Sequence, residues 1–354
     1  MKRNKTQIVE EYINIHIEEP PQKFVLPTGI DLIDCVLMGG IPVGAIVNIV
    51  GEESSGKSYL ATEIIANAKL KLADKYNVIH KYDDAETGYT FDTKPIYGFD
   101  VVGEDDDASE TVEEFALNLK REIAKLDDEQ FLLYVLDSLD GLSSKDERKR
   151  DRKLMNALEK GEEPNGSYQM EKQKYLKSFF RVRSKEIKNK NCMLIILSQV
   201  IYNTSNMLFK TKYTRAGGKG LDHFSYAVLW MKEVKKIMKK GRKVGSVLKV
   251  QASKLKAKRP ERECFVDLIT DYGFDNISSN LKFLYDLRTE SGDDKKKGSK
   301  KKSNIIWDDE EYSLDGMIRH IESHNLEAEL TKRVKAKWAK IEGEISSEGR
   351  KSKW

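Results

Sequence analysis

Gly51-Glu52-Glu53-Ser54-Ser55-Gly56-Lys57-Ser58 follows the apolar run Ala45–Val50 and opens the amphipathic stretch Tyr59–Ala68. A glycine-framed loop between a strand and a helix, closed by Lys-Ser, lets backbone N–H groups turn inward around phosphates. The helix that begins there adds the positive end of its dipole. On this pattern Gly51, Glu52, Glu53, Ser54, Ser55 and Gly56 form the cradle, Lys57 reaches the terminal phosphates, and Ser58 offers a hydroxyl to magnesium. A strand-to-helix turn without a nucleotide is the bland alternative, and it leaves the complete motif in its complete context unexplained.

Outward from the loop, the strands that can be named are Ala45–Val50, Asn77–Tyr82, Phe131–Leu136 and Cys192–Leu197. They alternate with longer amphipathic stretches, as in an α/β fold with a mostly parallel sheet flanked by helices. After Tyr226 the texture changes to alternating segments, Val247–Ala252 and Glu263–Ile269, separated by Lys/Gly-rich turns, which predicts antiparallel strands closing the sheet.

The strand ends carry the chemistry, because ligands of open α/β sheets bind at the carboxyl edge. Leu136-Asp137-Ser138 ends an apolar strand in an acid, as a magnesium-supporting carboxylate requires. Asp84-Ala85-Glu86 offers a carboxylate that could polarise an attacking water, and the pattern alone fits an exposed acidic turn equally well. Ser198-Gln199 brings an amide that could sense a γ-phosphate, or simply satisfy loop backbone. Beyond it, Ile201–Arg215 mixes Tyr202, Met207, Phe209 and Tyr213 with Lys210, Lys212 and Arg215 before Gly217-Gly218. Aromatics among cations on a long loop suit single-stranded nucleic acid, where bases stack and phosphates pair. Ser143–Tyr168 is a second basic candidate, but its interspersed acids fit a solvated helix as well.

The chain has 354 residues, 39% hydrophobic and 34% charged, enough for one sizeable core and a small second domain. A net charge of +4 points to no class of partner, so only the placement of charge can. Cys35, Cys192 and Cys264 lie far apart among apolar residues and read as reduced thiols of a cytoplasmic protein. No run approaches the roughly 18 apolar residues of a membrane helix, and the polar N-terminus lacks a signal-peptide core, so no membrane partner is expected.

Residues 1–24 form an arm whose alternating run Ile13–Ile17 could bury a face against a neighbouring subunit or against its own domain. Residues 25–288 form the α/β core. Residues 289–304, with six lysines between 295 and 302, read as a solvated linker. In 305–354, Leu326, Leu330, Val334, Trp338 and Ile341 recur at helical spacing and predict a small helical C-terminal domain. His320 and His324 lie four apart on that helical stretch, without the third ligand a zinc site needs.

Taken together these residues resemble the RecA-like DNA strand-exchange recombinases. The resemblance begins at Leu26-Pro27-Thr28-Gly29 and runs through Gly39-Gly40 into the phosphate loop. It continues in Asp84-Ala85-Glu86 with Gly98-Phe99-Asp100, Asp137-Ser138, Ser198-Gln199 and Arg215-Ala216-Gly217-Gly218. Its most specific element is Val244-Gly245-Ser246 through Lys254-Leu255-Lys256. It covers about residues 25–288 and, more weakly, 312–341.

The resemblance implies a RecA-type ATPase core acting in DNA recombination and repair, with ATP and Mg2+ as ligands. Such a protein forms a helical filament on single-stranded DNA and exchanges strands with homologous duplex DNA. Glu86 would activate water, Asp137 would hold the metal shell, Gln199 would report the γ-phosphate to the DNA loop, and Lys254 and Lys256 would reach a neighbour's ATP. The long charged first loop and the basic, aromatic Lys172–Ile187 are closer to phage recombinases of the UvsX type. The position of the family's adenine-stacking aromatic falls on Thr93, which leaves Tyr89 or Phe91 for the base. The arm is short and the end, Arg350–Trp354, is basic rather than acidic. The residues themselves leave open a ring helicase on the same fold, or a paralogue that coats single strands without exchanging them.

Overall fold

An apolar run that ends in a phosphate-loop motif must be covered on both faces, and Ile46–Gly51 is buried at every position. The computed structural model describes residues 24–89, 91–102, 108–159, 171–202, 213–215, 217–256, 261–287 and 305–345. In chain order the elements are β1 (Val25–Leu26), α1 (Asp31–Val36), β2 (Ile41–Pro42), β3 (Ile46–Gly51), α2 (Lys57–Leu72), β4 (Asn77–Asp84) and α3 (Lys94–Tyr97). Then come α4 (Val112–Lys125), β5 (Gln130–Asp137), α5 (Lys145–Glu159), α6 (Glu171–Asn189), β6 (Cys192–Tyr202), β7 (Tyr213–Arg215) and α7 (Gly218–Phe224). The chain continues with β8 (Ala227–Lys239), β9 (Arg242–Leu255), β10 (Arg262–Ile269), β11 (Gly273–Asp275) and α8 (Asn276–Leu284). It ends with β12 (Ile305–Trp307), β13 (Glu310–Tyr312), α9 (Leu314–His324) and α10 (Glu327–Ile345). This is the expected α/β architecture, with a largely parallel central sheet.

Two compact units divide the chain. One holds Ile41–Lys232 and Gln251–Arg262, the other Met1–Gly40, Glu233–Val250 and Glu263–Trp354. In the first, β8, β3, β6, β5 and β4 lie side by side and parallel. One apolar face is closed by α4 and α6. Phe115, Leu119, Phe179 and Phe180 pack there with Tyr134 and Leu194, and the Phe115 and Phe179 rings lie 5.2 Å apart. The aromatics of Lys172–Ile187 therefore point into the core, as helical periodicity dictates for an amphipathic helix.

Three elements depart from the sequence expectation. Strand β6 runs to Tyr202, beyond the expected end at Leu197, because β7 returns antiparallel to it with Val200↔Arg215 and Tyr202↔Tyr213 in register. Strand β8 begins as a parallel neighbour of β3, Val47↔Ala227 to Gly51↔Met231. The helical C-terminal segment is preceded by a hairpin, β12–β13, in which Ile305 pairs with Tyr312 and the turn residues Asp308 and Asp309 both have positive φ. Helix α5, within the second basic candidate, buries no side chain and is a solvated helix. The arm 1–24 lies outside the described residues except for its last position, and the linker 289–304 lies outside them altogether.

The second unit is organised around two aspartates of α1. Asp31 Oδ2 accepts from Asn276 Nδ2 at 3.0 Å, Asn280 Nδ2 at 2.6 Å and Thr331 Oγ1 at 2.7 Å, tying α1, α8 and α10 together. Lys337 of α10 donates to the carbonyls of Phe283 and Leu284 at 2.9 and 3.0 Å, satisfying the C-terminal end of α8. Asp34 accepts from the Thr28 N–H at 2.7 Å and the Thr28 hydroxyl at 2.8 Å.

Burial pushes the Asp34 carboxyl up from 3.8 to about 7, against those two hydrogen bonds. Between about pH 4 and pH 7 the unfolded chain has released this proton while the folded chain keeps it, so stability falls as pH rises through that window. Asp34→Asn should remove on the order of 2–4 kcal/mol of that fall. In urea unfolding, the gap between wild type and variant should therefore shift in the variant's favour from pH 5 to pH 7. Parallel pH profiles for the two proteins would exclude this assignment.

Candidate active site

Parallel register carries the expected site residues to one edge. Strand β4 pairs with β5 up to Asp84↔Asp137, β5 with β6 up to Leu136↔Ile196, and β3 with β6 up to Gly51↔Gln199. The turn after Asp84 then places Glu86, whose N–H donates to the Asp137 carbonyl at 3.2 Å. The sheet brings together Gly51, Lys57, Ser58, Glu86, Asp137 and Gln199, which lie far apart in the sequence.

The loop 51–56 closes tightly. A Cβ on Gly51 would lie 2.2 Å from Ser55 Oγ and 2.7 Å from the Met231 carbonyl, and the latter is backbone that cannot step aside. Gly56, at φ 83°, sits at the N-cap of α2, and no side chain caps that end. Ser54 also has positive φ, and Glu52 and Glu53 are exposed. Ser55 Oγ is buried with no hydrogen-bond partner. Lys57 Nζ folds back to donate to the carbonyls of Gly51 at 3.0 Å and Glu52 at 2.8 Å.

Ser58 Oγ donates to Asp137 Oδ2 at 2.7 Å, and Tyr82 OH donates to the same oxygen at 2.5 Å. Burial pushes the Asp137 carboxyl up from its ordinary value, against the two hydroxyls that favour its charged form. Burial also lowers Lys57, against the fields of Asp137, Glu86, Asp140 and Glu53. A phosphate beside Lys57 and a divalent cation beside Ser58 and Asp137 would each offset one of these costs. The residues fit both ligands: hard oxygen donors with few carboxylates are what magnesium takes when phosphates complete its shell. Among the described residues no cluster of three or more His, Cys, Asp or Glu side chains could hold a metal by itself. His320 and His324 stack at 4.3 Å instead, with His324 Nδ1 2.9 Å from the His320 carbonyl oxygen.

Glu86 Oε1 accepts from Gln199 Nε2 at 3.0 Å and from the Ser138 hydroxyl. The carboxylate is thus held between the ends of β5 and β6, beside the phosphate loop. Its neighbour Asp83 is fully buried and accepts from Ser109 N, Ser109 Oγ and Tyr134 OH at 2.6–2.7 Å, a structural arrangement. Asp84 Oδ2 accepts from the Tyr89 N–H at 2.9 Å and so shapes the following turn. Of the expected base-binding aromatics, Phe91 lies 4.2 Å from the Tyr59 ring of α2, and Tyr89 OH is 3.0 Å from Thr62 Oγ1. Thr93 is buried, and its hydroxyl donates to the Phe99 carbonyl at 2.8 Å.

Sequence reading missed Tyr82 and Asp140. Tyr82 is one of the alternating residues of β4 and was legible as a buried aromatic, but its hydroxyl contact with Asp137 depends on pairing. Asp140 Oδ2 accepts the Gln199 N–H at 2.7 Å.

Farther along, Arg215 is buried, and its guanidinium pairs with Asp222 on α7. Burial lowers it, against Asp222 and Asp140, and its Nη1 has no hydrogen-bond partner. Gly217 caps the start of α7 with φ 86° and Gly218 follows at φ 53°, backbone that favours glycine at both. Met207, Phe209, Lys210 and Lys212 lie outside the described residues, and Tyr213 contributes backbone to β7. Lys254 Nζ donates to the carbonyls of Asp222 and His223, and Lys256 Nζ to that of Phe224 at 3.2 Å, so both cations sit at the C-terminal end of α7.

A family model, the RecA N-terminal domain, matches residues 16–275. Protein RecA of Aquifex aeolicus is 29% identical over 260 residues, covering 72% of this chain and 68% of that protein. Protein RecA of Mesoplasma florum is 27% identical over 271 residues, covering 76% and 75%. That of Chloroflexus aggregans is 26% identical over 282 residues, covering 77% and 71%. No helix among the described residues is long and apolar enough to cross a membrane.

The geometry of the phosphate loop makes a direct test available. Gly51→Ala should weaken binding of ATP at least about tenfold, since the added methyl meets the Met231 carbonyl and forces the loop open. Calorimetric titration with ATP checks it, with far-ultraviolet circular dichroism confirming that the fold is kept. Unchanged affinity would remove this loop from the nucleotide site.

Proposed function

This chain belongs to the RecA-like recombinase family, and we propose that it is a DNA-dependent ATPase that assembles on single-stranded DNA into a helical filament and promotes pairing and strand exchange with homologous duplex DNA. The observation that carries the proposal is the grip of Gln199 and Ser138 on Glu86, next to a phosphate loop whose Ser58 already contacts Asp137. A carboxylate held by an amide from the strand that leads to residues 203–212 would link hydrolysis to what those residues bind. ATP is the substrate. Gly51–Lys57 would bind its phosphates, and Ser58 and Asp137 would hold Mg2+, which supplies charge neutralisation on the phosphate oxygens. Glu86 would orient and deprotonate the attacking water.

In this reading the DNA contacts come from Met207, Phe209, Lys210, Lys212, Tyr213, Arg215, Gly217 and Gly218. Arg215 is itself buried and paired with Asp222. Lys254 and Lys256 would complete the ATP site of an adjacent subunit, and a cytoplasmic setting accompanies this role.

ATPase assays with and without single-stranded DNA, alongside a strand-exchange assay, test the proposal: hydrolysis should rise with DNA, and exchange should require ATP. Glu86→Gln should bind ATP within about twofold of wild type and lose turnover by at least about a hundredfold, since the cradle is intact while the water loses its base. Normal hydrolysis by Glu86→Gln would strip Glu86 of this role.

The intersubunit lysines have their own assay. Lys57→Ala/Glu86→Gln has a dead phosphate-loop face and intact lysines, and Lys254→Ala/Lys256→Ala has the reverse. Each alone should be inactive. Mixed equally on single-stranded DNA, random neighbours give about a quarter of contacts two good faces, and ATPase should reappear in proportion. Co-assembly without recovered activity would return the lysines to a purely structural role on α7.

A further inference from the structure

The carboxylate of Asp140 occupies a place where the sheet runs out of partners. Strand β5 stops pairing with β6 at Leu136↔Ile196. The chain then turns at Ser138–Gly141, where Leu139 N–H donates to the Leu197 carbonyl at 3.0 Å. Gln199 lies beyond that last rung, so its N–H on the β5 side has no backbone acceptor. Asp140 Oδ2 accepts it at 2.7 Å.

The same turn is pressed onto the Glu86 segment. A Cβ on Gly141 would come within 2.8 Å of the Ala85 carbonyl and 3.1 Å of Glu86 Cγ. Gln199 is thereby gripped twice. Asp140 fixes its backbone, and its side-chain amide donates to Glu86 Oε1 at 3.0 Å.

A neutral acceptor would satisfy the N–H, yet the residue is a half-buried carboxylate among cations from several elements. Lys172 of α6 and Lys57 of α2 stabilise its charge, while Glu86 opposes it, and Arg215 of β7 lies within its field. Lys172 also donates through Nζ to the Leu142 carbonyl at the end of the same turn. Helix α6 carries Lys172 near its start and packs closely on α7, where a Cβ on Gly220 would lie 3.2 Å from Lys177 Cα. One turn thus connects Glu86, Gln199, and the helix that backs the segment after Arg215.

We infer that Asp140 is a positioning residue for ATP turnover: its carboxylate fixes the backbone of Gln199, and so the amide that holds Glu86, while Lys172 anchors that turn to α6. Asp140 touches neither the phosphate cradle nor the metal-holding oxygens in the contacts described. Its effect is on the geometry of the amide and the base. The inference rests on the ATPase reading above.

The test is kcat and KM for ATP at saturating single-stranded DNA, with the full chain and Mg2+. Asp140→Ala should lower kcat by about 10–100-fold, the range set by losing a hydrogen bond to a charged group, with KM within about twofold. Asp140→Asn, which keeps an acceptor for the Gln199 N–H, should recover part of that loss. Lys172→Met should lower kcat by a smaller factor. Thermal unfolding of the three variants should stay near wild type. Wild-type kcat in Asp140→Ala overturns the inference. So does a joint loss of kcat, ATP affinity and thermal stability unrelieved in Asp140→Asn, since that pattern belongs to a residue that only holds the fold. A wild-type chain with no ATPase, indistinguishable from Glu86→Gln, would instead remove the enzymatic reading and this inference with it.

Discussion

Parallel pairing in a single register is the constraint from which the site follows. A parallel strand delivers its carboxyl end to the same level as its neighbours, and here four such ends meet: Gly51 beside Gln199, and Asp84 beside Asp137. A slip of one residue in β5 would turn Asp137 to the other face of the sheet, away from Ser58 and Tyr82. The apolar packing of α4 and α6 on β5 and β6 guards against such a slip, because Leu132, Tyr134 and Leu136 would together leave the face on which they meet Phe115, Phe179 and Phe180. Core packing and the geometry of the candidate site are therefore the same constraint seen from two ends of the strands.

Having collected charges at that edge, the fold must keep them from defeating it. Burial opposes both Lys57 and Asp137 in their charged forms. It is offset by short-range partners: two hydroxyls on Asp137 and two carbonyls on the Lys57 ammonium. These partners are ones that a phosphate or a metal ion can displace, which separates them from the closed set around Asp83. There Ser109 and Tyr134 saturate a fully buried carboxylate and leave nothing to exchange. Asp83 and Asp137, at the ends of neighbouring strands, thus differ in what they can exchange because of what surrounds them.

Much of this was written in local sequence. The loop 51–58 declares itself through the turn it needs, and the four apolar strands through their length and composition. Strand ends in Asp137 and Gln199 follow once the sheet is taken as parallel. What local pattern does not carry is the extent of elements that owe their length to a distant partner. Strand β6 continues past Leu197 only because β7 returns to pair with it. Strand β8 opens Ala227-Val228-Leu229, buried like a parallel strand, then becomes largely exposed from Lys232 onward, so no single burial pattern marks the whole. The hairpin β12–β13 turns on Asp308-Asp309, which tolerate positive φ but carry no glycine to announce it.

The same distinction separates the site residues that motif reading found from those it did not. Lys57 and Ser58 act from positions fixed relative to the loop they belong to, so spacing identifies them. Tyr82 acts on Asp137 across a strand pair, 55 positions away, and Asp140 on Gln199 at 59 positions. Lys172 reaches Leu142 from a different helix. Nothing adjacent in the chain constrains these three, and each would read alone as a core aromatic, a turn acid or a surface cation. Their roles come from the point at which ladder hydrogen bonding ends and side chains must supply the missing partners. Polar residues just past the last rung of a parallel pair are therefore where a sheet-edge site hides the groups that its motifs do not name.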